Sequence, residues 1–113
     1  MADLGELAEG RAVEFLSRKG YQIIARSYRW RGGEIDLIAR DGDFLVFVEV
    51  KARSNINFGL PEEAITEAKK QKLITTAQRY IMQHKPELDM RFDVVAISGG
   101  QARLYKDAFR ALY

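Results

Sequence analysis

The chain has 113 residues, the length of one domain, with 47% hydrophobic and 30% charged residues. No apolar run nears the roughly 20 residues of a bilayer-spanning helix, so no membrane association is expected. The lack of cysteine excludes a disulfide scaffold or a thiolate metal site, while the net charge of +2 points only weakly to a polyanionic partner.

The start, Met-Ala-Asp-Leu-Gly-Glu, is polar and acidic and carries no signal-peptide pattern, so a cytoplasmic protein with one domain over 1–113 is expected. DLGELAEGRAVEFLSRK (3–19) predicts a helix, with Leu4, Leu7, Ala8, Ala12, Phe15 and Leu16 on one face and Gly20 at its stop. YQIIARSYRW (21–30) is rich in aromatic and β-branched residues and predicts a strand. Arg31-Gly32-Gly33 is a turn and EIDLIA (34–39) a second strand. Asp41-Gly42 is the expected tip of a hairpin with a type I′ turn. FLVFVEVK (44–51) has Phe44, Val46, Val48 and Val50 on one face and Leu45 and Phe47 on the other. Being apolar on both sides, it is expected to be a central strand. SNINFGL (54–60) reads as a loop, and 62–84 as a helix striped by Leu73, Ala77, Tyr80 and Ile81 and ended before Pro86. RFDVVAIS (91–98) and QARLYK (101–106) predict two further strands around a Gly99-Gly100 turn, and 107–113 a short helix. The order α-β-β-β-α-β-β predicts an α/β fold, a mixed sheet flanked by helices.

Glu34, Asp36, Glu49 and Lys51 stand out in the apolar hairpin. With Asp41-Gly42 at the tip, Arg40 pairs with Asp43, Ile38 with Leu45, Asp36 with Phe47 and Glu34 with Glu49. All four charged residues then project from one side of the sheet, with Asp36 diagonal to Glu49. Converging carboxylates repel, and they resolve this by a raised pKa or by a hard cation such as Mg²⁺. The plain structural alternative is a set of solvated ion pairs, Glu49 with Lys51 and Glu34 with Arg53.

An Asp on one hairpin strand and Glu-x-Lys on the next, preceded by a helix bearing a glutamate, resembles the PD-(D/E)xK nuclease superfamily. Ile35 stands where that name has proline. Gly5-Glu6, Ala8, Gly20-Tyr21, Gly33-Glu34-Ile35-Asp36-Leu37-Ile38, Phe47-Val48-Glu49-Val50-Lys51-Ala52-Arg53, Gly59, Pro61, Ala64, Lys69, Leu73 and Arg91-Phe92-Asp93-Val94-Val95 are similar to the UPF0102 (YraN-like) family pattern over nearly the whole chain. That family is grouped by fold with archaeal Holliday-junction resolvases.

The resemblance implies a restriction-endonuclease-like fold, Asp36 and Glu49 as ligands of Mg²⁺ or Mn²⁺, and Lys51 as the catalytic lysine. It also implies a glutamate from the first helix. Glu6 matches the family's Gly-Glu start, and Glu9 the spacing back from Gly20 in the resolvases. On a helical wheel Glu9 borders the apolar face, while Glu6 lies further towards solvent. Glu14 borders the opposite edge and is set aside, and Glu34 is a secondary metal candidate. The implied activity is metal-dependent endonucleolytic hydrolysis of DNA, branched DNA included, by a homodimer. The alternatives are a nucleic-acid-binding module of the same fold with little or no activity, or a protein adaptor.

A positive rim would serve such a partner. RSYRWR (26–31) interleaves Arg26, Arg29 and Arg31 with Tyr28 and Trp30, suited to phosphate contacts and to stacking on unpaired bases, or equally to an edge strand with arginines in water and aromatics in the core. In KKQK (69–72), Lys69 borders the apolar stripe and matches the family lysine, so it is expected to face the site or contact phosphate. Lys70 and Lys72 are expected on a solvated face. Arg53 is a candidate phosphate clamp. His84 is expected at a helix end rather than on a metal, and Asp93 in a structural role.

Overall fold

The structure is a computed structural model that describes residues 4–53 and 65–110, apart from the side chains of Leu4 and Arg53. The expected loop 54–60 and the expected helix's first residues, 62–64, lie outside the described residues. The elements are α1 (Leu4–Arg18), β1 (Gln22–Trp30), β2 (Gly33–Asp41), β3 (Phe44–Arg53), α2 (Glu67–His84), β4 (Asp89–Ser98) and β5 (Gln101–Phe109). This is the α/β order that the sequence predicts. The five strands form one sheet in the order β1-β2-β3-β4-β5. Only β3 and β4 are parallel, and α2 lies in the crossover that a parallel pair needs.

Each helix covers one face. Ala8, Ala12 and Leu16 of α1 bury against Leu37, Ala39, Val46, Val48, Val95 and Ile97. Leu73, Ile74, Ala77 and Tyr80 of α2 bury against Ile35, Ile38, Leu45, Phe47, Phe92 and Val94. The two faces of β3 fall as its alternation predicts. Leu7 does not join the core and is 53% exposed.

Three of the differences from expectation have a visible local cause. Thr66 is the N-cap of α2, its side chain accepting from Lys69 N at 3.2 Å, so the helix begins at Glu67, and Ile65 and Thr66, expected within a helix, precede it. β5 runs on to Phe109 where a helix from 107 is expected, because Phe109 pairs with Phe92 and their rings stack 4.7 Å apart. The hairpin tip is Gly42-Asp43, with Asp41 paired to Phe44. Gly42 has φ +59 and Asp43 has no positive φ, which is the φ pattern of a type II′ turn rather than I′. Ile38 therefore pairs with Phe47, not Leu45.

A buried polar network on the α1 face locks β4 to its neighbours. Asp93 is fully buried and accepts from Tyr21 Oη at 2.7 Å, Arg91 Nε at 2.8 Å and Asp107 N at 3.0 Å. Arg91 also donates to Asp41 at 2.7 Å, and this guanidinium holds the Asp41 carboxyl below its ordinary pKa. Removing one partner strands a buried charge, so Asp93→Ala is expected to lose about 3–5 kcal/mol in urea unfolding. A loss near zero would show that Asp93 does not hold this end of the sheet.

Candidate active site

β2 and β3 part company inside the sheet. Their pairing ends at Leu37 and Val48. Beyond it, β2 stays paired to β1 as far as Gly33, and β3 stays paired to β4 as far as Arg53. An N–H released from a ladder needs another acceptor. Val50 N finds it in Asp36 Oδ2, at 2.8 Å. The side chain of Asp36 thus lies in the gap between the strands.

The alternation of β2 breaks at the same residue. Leu37 and Ala39 face α1, whereas Ile35 faces α2 together with Ile38. Ser27, opposite Asp36 by count, has φ +54. The site is therefore an opening between strand ends rather than one flat face, which corrects the simple alternation. The observed register, continued one step, sets Asp36 directly opposite Glu49 instead of diagonal to it. The shift is by two residues, so the side-chain parity that joins them survives.

Glu49 is buried at the centre, and Lys69 Nζ lies 2.8 Å from its Oε1. A cleft of about 200 Å³ opens over this pair, lined by Glu34, Asp36, Glu49, Lys69 and Lys72. Burial pushes the Asp36 carboxyl up to about 7, assisted by the charges of Glu49, Glu9 and Glu34 against the Val50 hydrogen bond. Burial also lowers the pKa of Lys51, as do its hydrogen bond with Lys69 and that neighbour's charge. Lys69 moves the other way: burial opposes it, but hydrogen bonds with Glu49 and Lys51 outweigh burial and raise its pKa. The two amines are pushed apart, one towards neutrality and one towards charge.

The family enters here. The model of "Uncharacterised protein family UPF0102" matches residues 8–97. A "UPF0102 protein" of Lachnoclostridium phytofermentans is 49% identical over 109 residues, covering 95% of this chain and 92% of that one. Another, from Dechloromonas aromatica, is 48% identical over 95% of this chain and 88% of its own length. "UPF0102 protein STH1475" of Symbiobacterium thermophilum is 47% identical over 96% and 97%. The chain belongs to the UPF0102 family.

Around the central residues of this UPF0102 chain, the other candidates separate. Glu9 is half-buried, receives Ser27 Oγ at 3.5 Å, and its charge reaches Asp36; Glu6 is exposed. Glu34 lies at the cleft edge, 3.6 Å from the exposed Arg29. Arg31 lies over the Trp30 ring at 4.9 Å. The side chain of Arg53 lies outside the described residues. Lys72 is exposed, as expected, and lines the cleft; Lys70 is largely covered, beside Glu67 at 3.3 Å and over Phe109, so it does not occupy a solvated face. Tyr28 packs on Tyr80 in the core. His84 stacks on Tyr80 at the end of α2.

Sequence reasoning missed Gly33. A Cβ built there would lie 2.1 Å from Thr76 Oγ1, so only glycine lets α2 approach β2 this closely. The signal was present in the Gly32-Gly33 pair, where a turn explains one glycine and leaves the other over.

Among the described residues no group of three or more Asp, Glu, Cys or His side chains is arranged to hold a metal. A Mg²⁺ ion, however, commonly keeps several waters and takes one or two protein carboxylates plus substrate phosphates. Asp36 and Glu49, hard oxygen donors on adjoining strands, fit that smaller demand.

The shift of Asp36 makes folding pH-dependent. Its pKa rises from 3.8 to about 7 on folding, so the native state keeps a proton that the unfolded chain releases. The resulting stabilisation is full at low pH and is lost as pH rises through the folded pKa. The melting temperature of wild type minus that of Asp36→Asn is expected to fall between pH 5 and pH 8. A pH-independent difference would contradict the burial of this carboxyl.

Proposed function

We propose that this chain is a metal-dependent endonuclease that hydrolyses DNA phosphodiester bonds, branched DNA included. The observation that supports it best is the opening between β2 and β3, which gathers Asp36, Glu49 and Lys69 at one cleft, with Lys51 hydrogen-bonded to Lys69. Asp36 and Glu49 would hold Mg²⁺ or Mn²⁺. Bound there, the ion polarises a phosphate oxygen and acidifies a water.

The chain's own groups supply the remaining steps. Lys51, when neutral, takes a proton from the attacking water at Nζ, the role for which burial and a cationic neighbour tune a lysine. The water oxygen forms the new P–O bond as the leaving P–O bond breaks, its electron pair going to the departing sugar oxygen, which takes a proton from solvent water. Lys69 keeps its charge and counters the negative charge building on phosphate. For this it exchanges Glu49 for the substrate. Glu9, half-buried and with its charge reaching Asp36, would be the α1 glutamate of the site rather than the exposed Glu6. A homodimer would present two such sites to two DNA strands.

The test is cleavage of a four-way branched DNA and of plasmid DNA with Mg²⁺. Asp36→Asn, Glu49→Gln and Lys51→Met are each expected to slow cleavage by about 10²-fold or more, with Glu6→Gln near wild type. Variants that cut at the wild-type rate would sink the assignment. A second reading, a DNA-binding module without cleavage, is favoured by one observation: Lys69 already neutralises Glu49. DNA binding by a wild type that cuts nothing decides for it.

A further inference from the structure

We propose that the cleft next to the carboxylates is a subsite for an unpaired nucleobase flanking the scissile phosphate, with Trp30 as its stacking platform. The proposal rests on the nuclease reading of Asp36 and Glu49 and names what that site would select. This second cleft has a volume of about 390 Å³, and Trp30, Arg31, Gln71, Lys72 and Thr75 line it. Gly33 and Lys72 belong to both clefts, so the two adjoin. A nucleotide chain passing Lys72 would have its phosphate on the carboxylate side and its neighbouring base on the Trp30 side.

The chemistry suits a base. The Trp30 ring has the guanidinium of Arg31 at 4.9 Å and that of Arg79 at 5.5 Å. Aromatic rings and guanidinium planes are the surfaces on which unstacked bases settle. Arg79 Nε is buried beside the ring with no hydrogen-bond partner among the described residues. Gln71 and Thr75, one helical turn apart on α2, offer an amide and a hydroxyl to a base edge. A base inside a duplex is stacked on its neighbours and cannot use such a platform, so the occupant is unpaired.

The backbone carries a second, independent sign. Trp30 pairs with Gly33 around a two-residue turn in which Arg31 has φ +46 and Gly32 has φ +79. Both values are positive, as in type I′, where Asn, Asp or Gly is favoured at the first position. A long side chain there is strained, and such strain persists where surrounding structure or function holds it. Here it keeps a guanidinium against the platform.

Trp30 is the sole tryptophan, so its emission reports this cleft alone. A mixed-sequence single-stranded DNA, titrated in EDTA, is expected to quench it. An abasic strand of equal length and charge is expected to bind about tenfold more weakly and to leave emission unchanged. Trp30→Leu should weaken single-strand binding about tenfold and duplex binding much less. Arg31→Gly should weaken single-strand binding while raising the melting temperature. Equal binding and equal quenching by intact and abasic strands overturn the subsite, and this comparison needs no variant. The two readings separate cleanly. Base-dependent quenching in a wild type that cuts nothing sustains the subsite and removes the nuclease. Cleavage lost in Asp36→Asn, with intact and abasic DNA indistinguishable at Trp30, sustains the nuclease and removes the subsite.

Discussion

The hydrogen bond from Val50 N to Asp36 Oδ2 is the contact on which the site depends. A sheet normally satisfies every inner N–H with a neighbouring carbonyl. Here two central strands separate while each stays anchored to an outer partner. The carboxylate fills the place of the missing acceptor. One residue therefore closes a backbone deficit and brings an acidic group into a half-buried cleft. Burial then raises its pKa, which keeps the unliganded site from carrying full charge repulsion.

The rest of the site follows from how α2 is set against that opening. Thr66 starts the helix so that Lys69 falls in its first turn, over Glu49. Gly33 permits the close approach of Thr76, which fixes the helix's distance from β2. Lys69 compensates a carboxylate that would otherwise be buried alone, and in doing so depresses Lys51. On the opposite face, Asp93, Arg91, Tyr21 and Asp41 tie the hairpin tip to β4. Stability and site are thus carried by separate polar networks.

Much of this was legible from residue order. The apolar runs mark β3 as central and two-faced, and the parity of Asp36 and Glu49 joins them whichever two-residue tip the hairpin takes. The register itself was not legible, because Asp41-Gly42 and Gly42-Asp43 are both good turn pairs and preserve the same parity. The break at Asp36 was hidden as well: an αL serine in the middle of β1 has no signature in composition. Lys70 escaped because a wheel ranks side chains by angle and ignores what covers them: Phe109 covers it, whereas Lys72 is exposed as expected and lines a cleft beside the β1–β2 turn. In RSYRWR the aromatics divide: Tyr28 packs against the core, as the edge-strand reading expects, while Trp30 lines an open cleft.

The most direct test of the account is carboxyl ¹³C NMR of the wild-type protein during Mg²⁺ titration. Asp36 and Glu49 are expected to shift together, and the Asp36 titration midpoint, about 7 without metal, to move down as Mg²⁺ is added. An Asp36 that titrates like a surface carboxylate, with neither resonance responding to millimolar Mg²⁺, would contradict it.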